Sequence, residues 1–199
     1  MIHHVTIAQR AALASAVLIG IGCHPRPTVA PDPDATPVPV TTGTLKPDQA
    51  FVLEDDGSDP ADTTVTIIPG RARTIVLRHP APDNTPFATL EIPASGLGTD
   101  RAPVTITLAA RPGVYGLDVR TDASFGPGII LTFKYAVHFA APAAALAKYG
   151  TRAAFERRLA IARRNPDGSL ALLASGRPAS DNLSALLNTA GTYVVAAPR

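Results

Sequence analysis

The sequence predicts a mainly β protein: an antiparallel two-sheet β-sandwich with one short helix, preceded by a signal helix and a proline-rich linker. Three observations predict it. Between Thr63 and Phe139, apolar residues recur at every second position in one segment after another. That is the period of a strand with one dry face. Clusters of Pro, Gly, Asp and Asn separate these segments, and such clusters mark turns. Ahead of them lie a brief apolar run and a proline tract. Many short alternating strands between turn clusters suggest two antiparallel sheets packed face to face.

Composition narrows the function classes. A chain of 199 residues is sized for one main domain. Lys and Arg number 18 against 16 Asp and Glu, so the net charge is only +2. That balance leaves no electrostatic footprint for nucleic acid. Aromatic residues are 5% of the chain and Trp is absent, which removes the stacking platforms that single strands require. One cysteine excludes an internal disulfide and a multi-cysteine metal centre.

Residues 1–22 have the layout of an export signal. A short polar start with His3, His4 and Arg10 precedes the apolar run Ala11 to Gly22, 12 residues long. A spanning helix needs about 20, so the run reads as a signal-peptide core. Ile19-Gly20-Ile21-Gly22-Cys23 resembles the lipobox of bacterial lipoproteins. Gly22 fits the position before the cut; Gly20 stands where a Leu-like residue is usual. The resemblance implies lipid attachment (palmitate among the acyl chains) at Cys23. It also implies an exported protein anchored in the cell membrane or outer membrane. Two or more acyl chains hold a protein there stably, at about 0.8 kcal/mol per buried CH₂. Residues 23–47 read as the anchor cysteine and a disordered tether. Pro25, Pro27, Pro31, Pro33, Pro37, Pro39 and Pro47 favour extended polyproline II, and a tract of ~20 residues reaches ~60 Å.

Residues 48–199 read as the sandwich. Val65 and Ile67, Ile75 and Leu77, Leu90 and Ile92, then Val104, Ile106 and Leu108 share faces within successive strands. Tyr115, Leu117 and Val119 follow, and the longest alternation runs from Ile129 to Phe139. Ile129, Leu131, Phe133, Tyr135, Val137 and Phe139 lie on one face of it, with His138 on the wet face. Between Pro142 and Phe155 the composition suits a short helix, whereas Arg152 to Arg164 reads as either helix or strand. Pro166-Asp167-Gly168 predicts a hairpin joining Arg158–Arg164 to Ser169–Ala174. Asn182–Leu187 and Thr192–Ala197 read as a final strand pair around Gly191, closing the sandwich edge.

Phe87-Ala-Thr-Leu-Glu-Ile-Pro-Ala-Ser-Gly-Leu97, then Ala102-Pro-Val-Thr-Ile-Thr107, Phe125-Gly-Pro127 and Leu131-Thr-Phe133 resemble the β-sandwich module of ankyrins, netrin receptors and tight-junction scaffolds. Leu159-Ala-Ile161, Asp167-Gly-Ser-Leu170 and Gly191-Thr-Tyr193-Val194 continue the likeness, which spans roughly Val65 to Ala197. Leu170 or Leu172 stands where an aromatic is typical. The resemblance implies a module for protein contacts. Some members cut themselves at His-Phe-Ser; here His138-Phe139-Ala140 lacks the hydroxyl nucleophile.

No catalytic set, cofactor motif or metal-ligand spacing stands out. The acidic run Glu54, Asp55, Asp56, Asp59 and Asp62 reads as a solvated turn or a weak calcium site, off the spacing of a helix–loop–helix calcium loop. His24 and His79 are isolated, and no H-x-x-x-H pair exists, which argues against zinc. Arg152, Arg157, Arg158, Arg163 and Arg164 read as a charged surface or a contact for anionic polymer. The expected function is therefore that of a non-catalytic cell-envelope lipoprotein. Its sandwich binds an envelope protein or acts as a scaffold, with the membrane reached through Cys23. The alternatives are an envelope hydrolase with a dispersed Ser, His and Asp set, or a carbohydrate-binding module. Exposed Tyr115, Tyr135, Tyr149 and Tyr193 would mark the latter.

Overall fold

The computed structural model of the chain describes residues 42–98, 102–135 and 138–199. The expected signal segment, Cys23 and the prolines up to Pro39 lie outside the described residues, as do Ala136 and Val137. Strands β1 (Gly43–Leu45), β2 (Ala50–Val52), β3 (Glu54–Asp55) and β4 (Thr63–Ile67) come first. Then follow β5 (Arg73–Arg78), β6 (Pro86–Ile92), β7 (Val104–Ala110), β8 (Gly116–Thr121), β9 (Ile129–Lys134) and β10 (Phe139–Ala140). Helices α1 (Ala143–Tyr149) and α2 (Arg152–Glu156) precede β11 (Ala160–Arg164), β12 (Leu170–Leu172), β13 (Ser175–Gly176), β14 (Asn182–Leu187) and β15 (Gly191–Pro198).

The expected antiparallel sandwich is present. The larger sheet runs β1-β12-β11-β15-β8-β7-β4, with β2 also paired to β15. The smaller runs β13-β14-β9-β6-β5, and β10 with β3 forms a separate two-stranded ladder. Alternation does the sorting. Ile106, Leu108, Leu117, Val119, Tyr193 and Val195 line the core from the larger sheet, and Leu77, Leu90, Leu131, Phe133, Leu183 and Leu187 from the smaller. Each is at most 1% exposed, and burying one such side chain contributes about 1.5–3 kcal/mol.

The hairpin across Pro166-Asp167-Gly168 forms as expected, pairing Arg164 with Leu170. Gly168 takes φ +82, a conformation other residues resist. The basic stretch divides between both expected states: Arg152–Glu156 is helix and Ala160–Arg164 is strand. Gly150, at φ +77, ends α1 by donating its amide to the Leu146 carbonyl at 2.8 Å. Thr151 then caps α2, its hydroxyl accepting from the Ala154 amide at 3.1 Å. Phe155 is fully buried against Phe51, Phe139 and Tyr149, so α2 is fastened to the end of the core. Among the described residues, no helix is long and apolar enough to cross a membrane.

Four expectations need correction. First, the ordered fold begins before residue 48. Gly43–Leu45 is a strand paired to β12, and Pro47–Gln49 is a 3₁₀ turn. This segment leads from β12 to β15 and packs Leu45 and Val52 against a second apolar cluster that includes Ala160, Ala162, Leu170 and Val194. Pro47 suits the first position of such a turn, where its missing N–H costs nothing.

Second, Ile129 to Phe139 is not one strand. The rhythm is continuous in sequence, but the hydrogen-bond partner changes: β9 pairs with β6 and β14, whereas β10 pairs with β3. Third, β14 and β15 do not pair with each other. Leu183, Ala185 and Leu187 fill the core from one sheet, and Tyr193, Val195 and Ala197 from the other, so the intervening loop crosses between layers. Fourth, β15 is no edge. It pairs with β11, β8 and β2, and its consecutive buried residues Tyr193 to Ala197 reflect apolar packing on both faces.

Candidate functional site

The β5–β6 connection starts at His79, just after β5. Its amide donates to the Thr85 carbonyl at 2.9 Å, and the Asn84 amide donates to Pro80 at 3.2 Å. Asn84 sits at φ +52, which Asn tolerates better than most residues. Arg78 also donates to the Asn84 carbonyl, at 3.0 Å. These bonds hold Asp83 back towards the sheet, where it also accepts from the Thr85 hydroxyl at 3.0 Å.

A second segment delivers His138. The β3–β10 ladder sets Asp55 opposite Phe139, and the Asp56 amide donates to the His138 carbonyl at 3.2 Å. His138 therefore lies in a turn beside the acidic run and not on the wet face of a long strand. Its Nε2 contacts a carboxylate oxygen of Asp83, and its Nδ1 lies 3.8 Å from Asp56. The His79 and His138 rings meet edge-on with centroids 4.5 Å apart. One ligand atom from each of His79, Asp83 and His138 lies within 4.8 Å of the others. Gly57 makes this approach possible, because a Cβ there would meet the His138 ring at 2.6 Å.

Burial fixes the chemistry of the groups behind. His79 is 3% exposed, and its Nδ1 lies 2.9 Å from the Ser58 carbonyl. A carbonyl only accepts, so Nδ1 carries the proton and Nε2 keeps its lone pair in the neutral ring. Asp55 is 7% exposed; its Oδ1 accepts from the Gly57 amide, while its Oδ2 is buried without a partner among the described residues. Burial raises the Asp55 pKa above the usual carboxylate range, against the pull of the Gly57 amide and of both imidazoles. Asp83 moves the other way: the hydrogen bond from His138, together with Thr85, holds its carboxyl low despite some desolvation. The Tyr115 hydroxyl beside them is buried and unpaired among the described residues; burial and the Asp55 charge push its pKa up. Phe87 closes the inner side, stacked on Tyr115 at 5.2 Å and edge-on to His79 at 5.4 Å.

Other sequence candidates separate. Cys23 and His24 lie outside the described residues. The acidic run is only partly a solvated turn, since Asp55 is buried while Glu54 and Asp56 are exposed. The basic stretch makes no single face. Arg152 pairs with Glu156 at 2.9 Å and covers the Phe139 ring, whereas Arg163 has a buried Nε. Tyr115, Tyr135 and Tyr193 are at most 2% exposed and Tyr149 is half-buried, so they form no aromatic sugar platform. His138 and Asp83 are paired, but among the described residues no serine hydroxyl bonds to either imidazole, as an acyl-transfer triad requires.

Sequence reading missed His138 as a partner of His79 because 59 positions separate them; the one local signal is the His79 to Asp83 spacing within a turn. Comparison of the chain with protein-family models, characterised proteins and solved structures finds no match.

Proposed function

We propose that the protein is a non-catalytic, lipid-anchored module of the bacterial cell envelope, with Cys23 as the anchor and the sandwich as the surface that binds a partner protein. The observation that carries the binding half is the outer face of the smaller sheet. Register places Leu186, Ile130, Glu91 and Thr74 in one row and Ser184, Thr132, Thr89 and Val76 in the next. Leu186 is 58% exposed and Val76 37%. The two exposed apolar side chains stand on the flanking strands β14 and β5, with Ile130, Glu91 and Thr89 between them, and apolar side chains set among polar ones suit a contact with a protein partner. The likeness to the ankyrin and netrin-receptor module supports the same reading. The lipobox and proline tract support a place at the membrane.

Two measurements test it. A palmitate analogue supplied to cells should label the wild-type chain and leave Cys23→Ala unlabelled. A photo-crosslinking residue at position 186 should give a discrete protein adduct in intact cells, while the same residue at Leu146 on α1 should give none. Label persisting in Cys23→Ala overturns the anchor. Equal or absent adducts at the two positions overturn the face.

A further inference from the structure

We propose that His79, Asp83 and His138 form a three-ligand site for a divalent transition-metal ion of the zinc class. This goes beyond the recognition reading and does not rest on it.

The ligand atoms already converge within 4.8 Å. Bonds of about 2.0–2.1 Å from nitrogen and oxygen to Zn²⁺ bring tetrahedral ligand atoms to within about 3–4 Å of each other, so only small side-chain adjustments are needed. Two imidazoles with one carboxylate suit zinc, copper, nickel or cobalt; calcium and magnesium take oxygen sets. Three protein ligands leave a fourth position for water.

The surroundings match a ligating histidine. His79 donates Nδ1–H to the Ser58 carbonyl and so presents the Nε2 lone pair, the outer-shell arrangement that fixes a metal-binding tautomer. This second imidazole is buried, with its ring 4.5 Å from that of His138. Charge points the same way. Asp55, Asp56 and Asp83 surround the two imidazoles, and Asp55 is more than nine-tenths buried with its Oδ2 unpartnered among the described residues. Buried carboxylate oxygen needs a compensating charge or donor, and a divalent cation on the two imidazoles would add positive charge to these acidic surroundings.

The test uses the full chain in detergent, stripped of metal with a chelator and titrated with Zn²⁺ alone. One equivalent should bind, and Asp83→Asn and His138→Ala should weaken that binding on the order of 100-fold or more, since even outer-shell partners are worth 10–100-fold. Melting curves in chelator establish that the variants fold. Should they not fold, diethyl pyrocarbonate footprinting of the wild type decides: Zn²⁺ should protect His138. Absence of stoichiometric binding, binding unchanged in both variants, or protection confined to His24 overturns the site.

Discussion

Replacing Gly57 by Ala tests the packing that brings the two imidazoles together. A Cβ at this position would lie 2.6 Å from Cγ, 2.8 Å from Cδ2 and 3.0 Å from Nδ1 of His138. Ordinary carbon contacts are about 3.5–4.0 Å, so the ring must retreat by about 1 Å. It is held by Asp83 on one side and lies edge-on to His79, so retreat breaks a contact. Overpacking of this kind costs about 1–3 kcal/mol. The backbone of Gly57 is outside the left-handed region, so alanine also removes unfolded-state entropy, a gain of about 0.4–1 kcal/mol. The packing cost wins, and the net expectation is a loss of about 0.5–2 kcal/mol. Gly176→Ala is the control, since its Cβ meets nothing within 4 Å; there the entropy gain acts alone. Urea unfolding of both variants in chelator, read from the shift in midpoint at constant slope, separates the two cases. Stabilisation of Gly57→Ala equal to that of Gly176→Ala would refute the claim that this glycine is required by the His138 ring.

Two further outcomes follow from the core and from charge. Phe155→Ala removes a fully buried ring that meets Phe51, Phe139 and Tyr149; it should cost about 3–5 kcal/mol, measured by urea unfolding, and a loss below about 1 kcal/mol would show that α2 is not fastened to the core by this residue. Asp118 is pushed up by partial burial but held low overall by the Thr192 hydroxyl at 2.7 Å and by Arg111 and Arg120. Its folded pKa lies below the unfolded value of about 3.9, so its stabilisation is complete above that pH and disappears as pH falls through the folded value. Asp118→Asn should therefore cost about 1–2 kcal/mol near neutrality, with the gap to wild type closing below about pH 4; a gap constant down to pH 2 contradicts the assignment.

Most strands are local properties of the chain. Alternation in Val104–Leu108 or Tyr115–Val119 needs only neighbouring residues, because successive side chains of a strand point to opposite faces. The same rhythm says nothing about which strand lies alongside. It could not reveal that the run from Ile129 to Phe139 changes partner, that β14 and β15 belong to different layers, or that Gly43–Leu45 completes the larger sheet. The histidine cluster shows the limit most sharply. His79 and Asp83 share one turn, but His138 joins them only because β10 pairs with β3, and Asp55 loses its solvent for the same reason. By itself, the sequence determined which segments are apolar on one side and where the chain turns, since those depend on short-range geometry. Only the tertiary structure decided which distant side chains meet, since that depends on filling one core from two sheets at once.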